Sequence, residues 1–87
     1  MDSNKQNLIN KILYRAQYRG TKEMDIFVTK FVNSIINNLD HKELVSLDKL
    51  INFDDETLMS IKNKQSLINT NDPIMEDIID KFQRFKL

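Results

Sequence analysis

The apolar residues of this chain recur at helical spacing over almost its whole length, and this pattern limits the fold more than any other feature. Residues three and four positions apart share one face of an α-helix. No stretch shows the sustained period-two alternation of a β-strand or a two-residue hairpin signal. The single glycine, Gly20, and the single proline, Pro73, both stand where the apolar pattern restarts, at positions typical of helix boundaries. The sequence therefore predicts an all-α fold.

Two long helices are predicted in the first half of the chain. The first runs from about Ser3 to Arg19, and Gly20 can adopt the left-handed conformation that ends many helices. Thr21 is the expected N-cap of the second helix, which extends to Leu39. The predicted buried stripes are Leu8, Ile9, Ile12, Leu13 and Ala16 in the first helix and Met24, Phe27, Val28, Phe31, Val32, Ile35, Ile36 and Leu39 in the second.

Three shorter helices are predicted from N-cap signals in the second half, with a polar loop from Asn63 to Asn71 between the last two. The signals are Asp40 with Glu43 three residues later, then Asp54 or Asp55, and finally Asp72 directly before Pro73. The apolar residues of these helices are Leu44, Leu47, Leu50 and Ile51, then Leu58, Met59 and Ile61, and then Ile74, Ile78, Ile79, Phe82 and Phe85.

The length and the short connections predict a single domain over residues 1–87. A chain of 87 residues buries only roughly 60% of its unfolded surface, so its core is thin. Short connections make sequential helices pack roughly antiparallel. The prediction is a compact five-helix bundle that unfolds cooperatively as a monomer.

The composition offers little material for catalysis or metal binding. The chain has no cysteine and a single histidine, His41, which stands among charged residues at an expected helix start. One glycine is too few for a phosphate-binding or dinucleotide-binding loop. The first residues lack the apolar stretch of a signal peptide, so we expect a cytoplasmic protein without a membrane segment. These features indicate a protein that is not an enzyme.

The first helix–helix turn is the most informative segment for function. Lys11, Arg15 and Tyr18 lie on one line of the first helix, away from its apolar stripe, and Arg19 lies beside that line. The carboxylates of Glu23 and Asp25 follow in the first turn of the second helix. One interpretation is a capped hairpin in which arginine and glutamate pair across the turn, contributing at most about 1 kcal/mol. The other is a hot spot for a protein partner, because tyrosine and arginine dominate interface energetics.

The turn carries the sequence Arg19-Gly20-Thr21-Lys22-Glu23-Met24-Asp25, with Arg15 upstream. It closely resembles the signature of the succinate dehydrogenase FAD assembly factors, or flavinators: arginine and glycine, two variable residues, glutamate, an apolar residue and aspartate. The resemblance extends over most of the chain. It departs at Ile61, where the family often has tryptophan, and at Leu47 and Asp48, where it has phenylalanine and glutamate.

The resemblance implies a helical bundle that binds the flavoprotein subunit of succinate dehydrogenase, with the flavoprotein of fumarate reductase as a second candidate. That subunit joins one of its own histidines to the 8α-methyl carbon of FAD, a step it largely catalyses itself. The helper would therefore bind no FAD tightly. The residues implied in partner binding are Arg15, Tyr18, Arg19, Gly20, Glu23 and Asp25.

The sequence supports two other classes of function less well. A nucleic-acid-binding or regulatory module would use the basic first helix on phosphates, but the formal net charge is zero and there are only three arginines. A small enzyme would need a nucleophile with a base or a metal cluster, and the sequence offers neither. Steep loss of binding with added salt would favour the nucleic-acid interpretation, and turnover of a substrate by the isolated chain would favour the enzyme.

Overall fold

The computed structural model describes residues 3–17, 22–64 and 72–86, and within these ranges the chain folds into five α-helices without a strand. The helices are α1 (Ser3–Gln17), α2 (Lys22–Ile35), α3 (His41–Ile51), α4 (Asp55–Lys62) and α5 (Pro73–Arg84). The predicted all-α five-helix bundle is confirmed. The Cα radius of gyration is 12.3 Å, close to the value of about 12 Å expected for a compact chain of this length.

The predicted helix starts of α3, α4 and α5 are confirmed by hydrogen bonds. The Asp40 carboxylate accepts from the Glu43 backbone N–H at 2.8 Å, and the Glu43 carboxylate accepts from the Asp40 N–H at 3.1 Å, which completes a capping box. Asp54, rather than Asp55, caps α4 and accepts at 2.8 Å from the N–H three residues later. Asp72 caps α5. The expected caps Gly20 and Thr21 lie outside the described residues.

The prediction that the second helix continues to Leu39 is wrong. The α-helix ends at Ile35, a single 3-10 turn covers Ile36–Asn38, and Leu39 is extended with φ −97° and ψ 143°. Asparagine is a poor helix former, and 3-10 turns commonly finish helices. The tightened turn still buries Ile36 and Leu39 while leading the chain into the Asp40 cap.

The core follows the predicted stripes, with two differences in α4 and α5. Met75 is buried although it was not on the predicted stripe, because Met75, Ile78 and Phe82 share one face of α5 at spacings of three and four residues. Met59 is 45% exposed. The inward residues of α3 are all buried, namely Leu44, Leu47, Leu50 and Ile51, whereas Leu8, Ile9 and Leu13 of α1 are only partly buried.

The helices do not all pack against their neighbours in sequence. The expected sequential contacts are present for α1 with α2 and for α4 with α5. The main neighbours of α3, however, are α1 and α5, so α3 lies between them. Its wide apolar face allows this, because Leu44, Leu47, Leu50 and Ile51 cover more than one side of the helix. Within the described ranges, no helix has the length and apolar character needed to cross a membrane.

Aromatic rings join α2 to α5 at the centre of the bundle. Phe31 is fully buried, and its ring centroid lies 5.1 Å from that of Phe82 and 5.5 Å from that of Phe85 in edge-to-face contacts. Ile61 and Leu47, the two apolar positions that depart from the flavinator pattern, are both buried. The smaller side chains at these positions are therefore accommodated within the core.

Lys62 closes the carboxyl end of α5 from the last turn of α4. Its ammonium donates to the carbonyl oxygens of Phe82 and Gln83 at 2.9 Å each and to that of Phe85. Three carbonyls match the three donors of an ammonium group. Burial of the group, with a smaller effect from the nearby charge of Lys86, lowers the pKa of Lys62 from its ordinary value of 10.5. The Lys62 head group therefore faces the end of α5.

Candidate functional site

The structure describes three of the six predicted partner-binding residues. Arg15 is half-buried near the end of α1, Glu23 is exposed in the first turn of α2, and Asp25 follows in the same turn. Tyr18, Arg19 and Gly20 lie outside the described residues, so their role in partner binding remains a prediction from the sequence.

Arg15 is held by a carboxylate and an amide of α3 and its C-cap. One guanidinium nitrogen, Nη1, donates to Asp48 Oδ1 at 3.0 Å and to Asn52 Oδ1 at 3.2 Å. Lys11 Nζ approaches the other oxygen of Asp48 at 3.9 Å. The Asp48 side chain is only 16% exposed. Two cations of the predicted basic line are therefore paired within the bundle.

The contact with Asp48 was not predicted, although the sequence contains a signal for it. Asp48 stands four residues after Leu44 and three before Ile51, which places a carboxylate on the apolar stripe of α3. A carboxylate partly removed from water is stabilised by a cation with hydrogen bonds. The Lys11 and Arg15 line of α1 supplies that cation. The interpretation in which arginine pairs with Glu23 across the turn does not apply to Arg15, which pairs with Asp48.

Arg15 also lines a cleft of about 540 Å³ between α1 and the turn that joins α3 to α4. Within the described residues, only Nη1 of the guanidinium has a hydrogen-bond partner. The lining residues of the cleft are Tyr14, Arg15, Ile51, Asn52, Phe53, Asp54 and Asp55.

Glu23 lines a different recess, between the start of α2 and the end of α4. This Glu23 groove also measures about 540 Å³ and is lined by Glu23, Met24, Phe27, Met59 and Lys62. Most of the lining is apolar, and Met59 is among the most exposed apolar side chains in the described part of the chain. Glu23 forms no ion pair with any residue that the structure describes.

Asp25 lines a third, smaller recess of about 280 Å³ between α1 and α2, together with Gln17, Ile26, Thr29 and Lys30. A hydrogen bond from the Thr29 hydroxyl to the Ala16 carbonyl, at 3.1 Å, joins the two helices at this place. The recess is therefore part of the α1–α2 contact.

The three described residues of the predicted site line three different recesses. Among the residues that the structure describes, the recesses that contain Arg15, Glu23 and Asp25 share no lining residue. Helix α4 adjoins two of them, because Asp55 lines the Arg15 cleft and Met59 lines the Glu23 groove. At 1.5 Å per residue, these two positions are about 6 Å apart along the helix axis. A partner segment that follows α4 would therefore meet both recesses.

We expect the Arg15–Asp48 pair to contribute about 1 kcal/mol of coupling energy to folding, because Asp48 is mostly buried and Arg15 is partly buried. A double-mutant cycle with Arg15→Ala and Asp48→Ala, followed by urea denaturation, measures this coupling. The exposed pair Arg84 and Asp80, 3.1 Å apart on α5, is the control, with an expected coupling of about 0.3 to 0.5 kcal/mol. Equal couplings in the two cycles would contradict a structural role for Asp48.

Two further features bear on the alternative functions. His41 is exposed at the start of α3, and among the described residues no group of three His, Cys, Asp or Glu side chains could hold a metal ion. Lys11 and Arg15, the cations that a nucleic-acid module would use, face Asp48 instead. A paired cation gains less from a phosphate, since the phosphate must replace an existing partner.

The chain is similar to known proteins over most of its length. A sequence model of the family described as "Flavinator of succinate dehydrogenase" matches residues 10–86. A curated relative, "Succinate dehydrogenase assembly factor 2, mitochondrial" from Arabidopsis thaliana, is 32% identical over 57 residues. The match covers 66% of this chain and 30% of the relative, so the chain spans about a third of that protein's length. No solved structure matches.

Proposed function

Because the chain belongs to the family of succinate dehydrogenase flavinators, we propose that it binds the flavoprotein subunit of that enzyme and promotes the covalent attachment of FAD to a histidine of the subunit. The observation that carries the proposal is the family match over residues 10–86, which contains the whole segment from Arg15 to Asp25. The family resemblance inferred from the sequence is confirmed by this match. The family consists of assembly factors rather than catalytic enzymes.

The described surface supports a role in binding. Glu23 is an exposed carboxylate that lines a largely apolar groove, and Arg15 lines a second cleft. Apolar recesses with one or two charged groups at the rim are typical of protein interfaces. The partner-binding role extends to Tyr18, Arg19 and Gly20, which stand between Arg15 and Glu23 in the sequence.

In the proposed mechanism the chain contributes orientation and no reacting atom. The flavoprotein holds both the histidine and the FAD, whose 8α-methyl carbon becomes bonded to that histidine. Binding of the helper to the flavoprotein favours a conformation in which these two groups meet. Correct placement of reacting groups lowers a barrier by several kcal/mol without any added nucleophile or metal ion. The helper is therefore not an enzyme and has no tightly bound FAD of its own.

The proposal includes the setting in which the chain acts. We place it in the bacterial cytoplasm as a monomer, with the flavoprotein of fumarate reductase as a second target. A chain without cysteine needs no oxidising compartment. Nucleic acid is not a proposed partner, since Lys11 and Arg15 are paired with Asp48.

The test is reconstitution with the FAD-loaded but unmodified flavoprotein subunit. We expect an equimolar amount of the chain to accelerate covalent attachment by about tenfold or more, which corresponds to about 1.4 kcal/mol of barrier reduction. Flavin fluorescence of the subunit on denaturing gels follows the reaction. Complex formation should persist at moderate salt, because the groove is largely apolar.

The control is an unrelated helical bundle of similar size, added at the same concentration. Unchanged rates with the chain present, together with no complex in size-exclusion chromatography, would refute the proposed function. Acceleration by the control protein would show that the effect is non-specific.

A further inference from the structure

The Glu23 groove has a chemical character that identifies the kind of segment it can bind. Its lining includes the apolar side chains of Met24, Phe27 and Met59. Met24 is buried, Phe27 is half-buried, and Met59 is 45% exposed. Methionine side chains are flexible and polarizable, so they adapt to apolar groups of different shapes. The groove is therefore suited to an apolar side chain.

The second charged residue of the groove, Lys62, directs its charge to the end of α5. Its ammonium donates to three carbonyl oxygens there and lies 5.3 Å from the centroid of the Phe27 ring. The carboxyl end of a helix carries a partial negative charge that offsets part of a nearby cation. The ammonium is therefore engaged within the bundle, whereas Glu23 is not.

Glu23 is the anionic group of the groove. It is exposed, and none of the described residues forms an ion pair with it. An apolar lining beside one carboxylate is complementary to an apolar side chain that stands next to a cation. An acidic segment would meet like charge at Glu23, which opposes binding.

We infer that this groove binds a surface segment of the flavoprotein in which an apolar side chain stands next to an arginine or a lysine. The apolar side chain packs between Phe27 and Met59, and the cation pairs with Glu23. This inference rests on the proposed function, since it specifies how the flavoprotein is held. It also assigns a partner-binding role to Phe27, Met59 and Lys62, which lie outside the segment from Arg15 to Asp25.

The test compares an apolar side chain in the groove with one outside all three recesses of the predicted site. Met59 lines the groove and is 45% exposed, whereas Val45 on α3 is half-buried and lines a recess with His41. We expect Met59→Ser to raise the Kd for the FAD-loaded flavoprotein by about tenfold or more, because contacts in an interface core carry most of the affinity. Val45→Ser and Met59→Leu should each stay within about threefold of the wild type. Isothermal titration measures the four Kd values.

The outcomes separate this inference from the proposed function. If the wild-type chain does not bind the flavoprotein, the proposed function fails and the inference fails with it. If the wild type binds and Met59→Ser binds as tightly, only the groove assignment is overturned. Equal losses of affinity in Met59→Ser and Val45→Ser would also overturn it, because binding would then not depend on the groove in particular. The wild-type chain could instead self-associate through the groove. If it does and Met59→Ser abolishes that self-association, the inference is overturned, and the groove is assigned to a second copy of the chain.

Discussion

Phe31→Ala is expected to lower the free energy of unfolding by about 3 to 5 kcal/mol, which is the range for removing a large aromatic side chain from a packed core. Phe31 is fully buried and contacts the rings of Phe82 and Phe85 edge to face. A domain of 87 residues has a total stability of about 4 to 13 kcal/mol. The loss is therefore a large part of the total, and the Tm should fall by more than about 15 °C.

Tyr14→Ala is the matched control, since Tyr14 is also an aromatic residue of a helix but is 66% exposed. Tyr14→Ala is expected to lower the free energy of unfolding by less than about 1 kcal/mol. Thermal and urea unfolding followed by far-UV circular dichroism measure both variants, and the same spectra should be predominantly helical. Similar losses for Phe31→Ala and Tyr14→Ala would contradict a bundle in which Phe31 is a core residue and Tyr14 a surface residue.

The features that the sequence predicted well depend on residues close together in the chain. A capping box needs only Asp40 and Glu43, and the start of α5 needs only Asp72 and Pro73. The buried face of α3 follows from the spacing of its leucines. Local hydrogen bonds and helical periodicity are both properties of short segments, so one sequence is enough to predict them.

The features that were not predicted from the sequence are contacts between residues far apart in the chain. Arg15 and Asp48 are 33 residues apart, and Lys62 reaches carbonyl oxygens at least 20 residues further on. Periodicity predicts which face of a helix is buried, but not which helix covers it. The position of α3 between α1 and α5, and hence the Asp48 contact, therefore became visible only in the folded chain.

The candidate site was also predicted only in part, because contacts between helices do not follow from the sequence pattern. Arg15 and Glu23 are eight positions apart in the sequence, and the prediction treated them as one surface. In the structure Arg15 faces the α3–α4 turn, whereas Glu23 faces the end of α4. The Glu23 groove was not predicted, because it is formed by α2 and α4, and no pattern in the sequence pairs these two helices. From the sequence, Met59 was predicted only to be an apolar residue of the fourth helix.

Glu23→Ala should weaken binding to the flavoprotein far more than it weakens the fold. Glu23 is exposed in the first turn of α2, where a carboxylate contributes about 0.3 to 1 kcal/mol through the helix dipole. The domain should therefore remain folded with a slightly lower Tm. If a cation of the flavoprotein pairs with Glu23 in a buried contact, its loss costs the complex about 2 kcal/mol or more, a reduction in affinity of about thirtyfold.

Glu76→Ala is the matched control, because Glu76 is an exposed acidic residue in the first turn of α5 and lines neither the Arg15 cleft nor the Glu23 groove. Glu76→Ala should lower the Tm by a similar small amount and leave the affinity for the flavoprotein unchanged. Each variant is titrated into the FAD-loaded flavoprotein, and both complex formation and covalent flavin fluorescence are measured. Thermal unfolding of each variant alone gives the stability loss.

The comparison of the two variants separates recognition from folding. Both remove a carboxylate from the positive end of a helix, so the dipole contribution is common to them and cancels in the difference. A thirtyfold difference in affinity then measures what the flavoprotein gains from Glu23. Equal binding and equal flavinylation by the two variants would show that Glu23 acts only at the start of α2. The predicted partner-binding site would then be reduced to Arg15, Arg19 and Gly20.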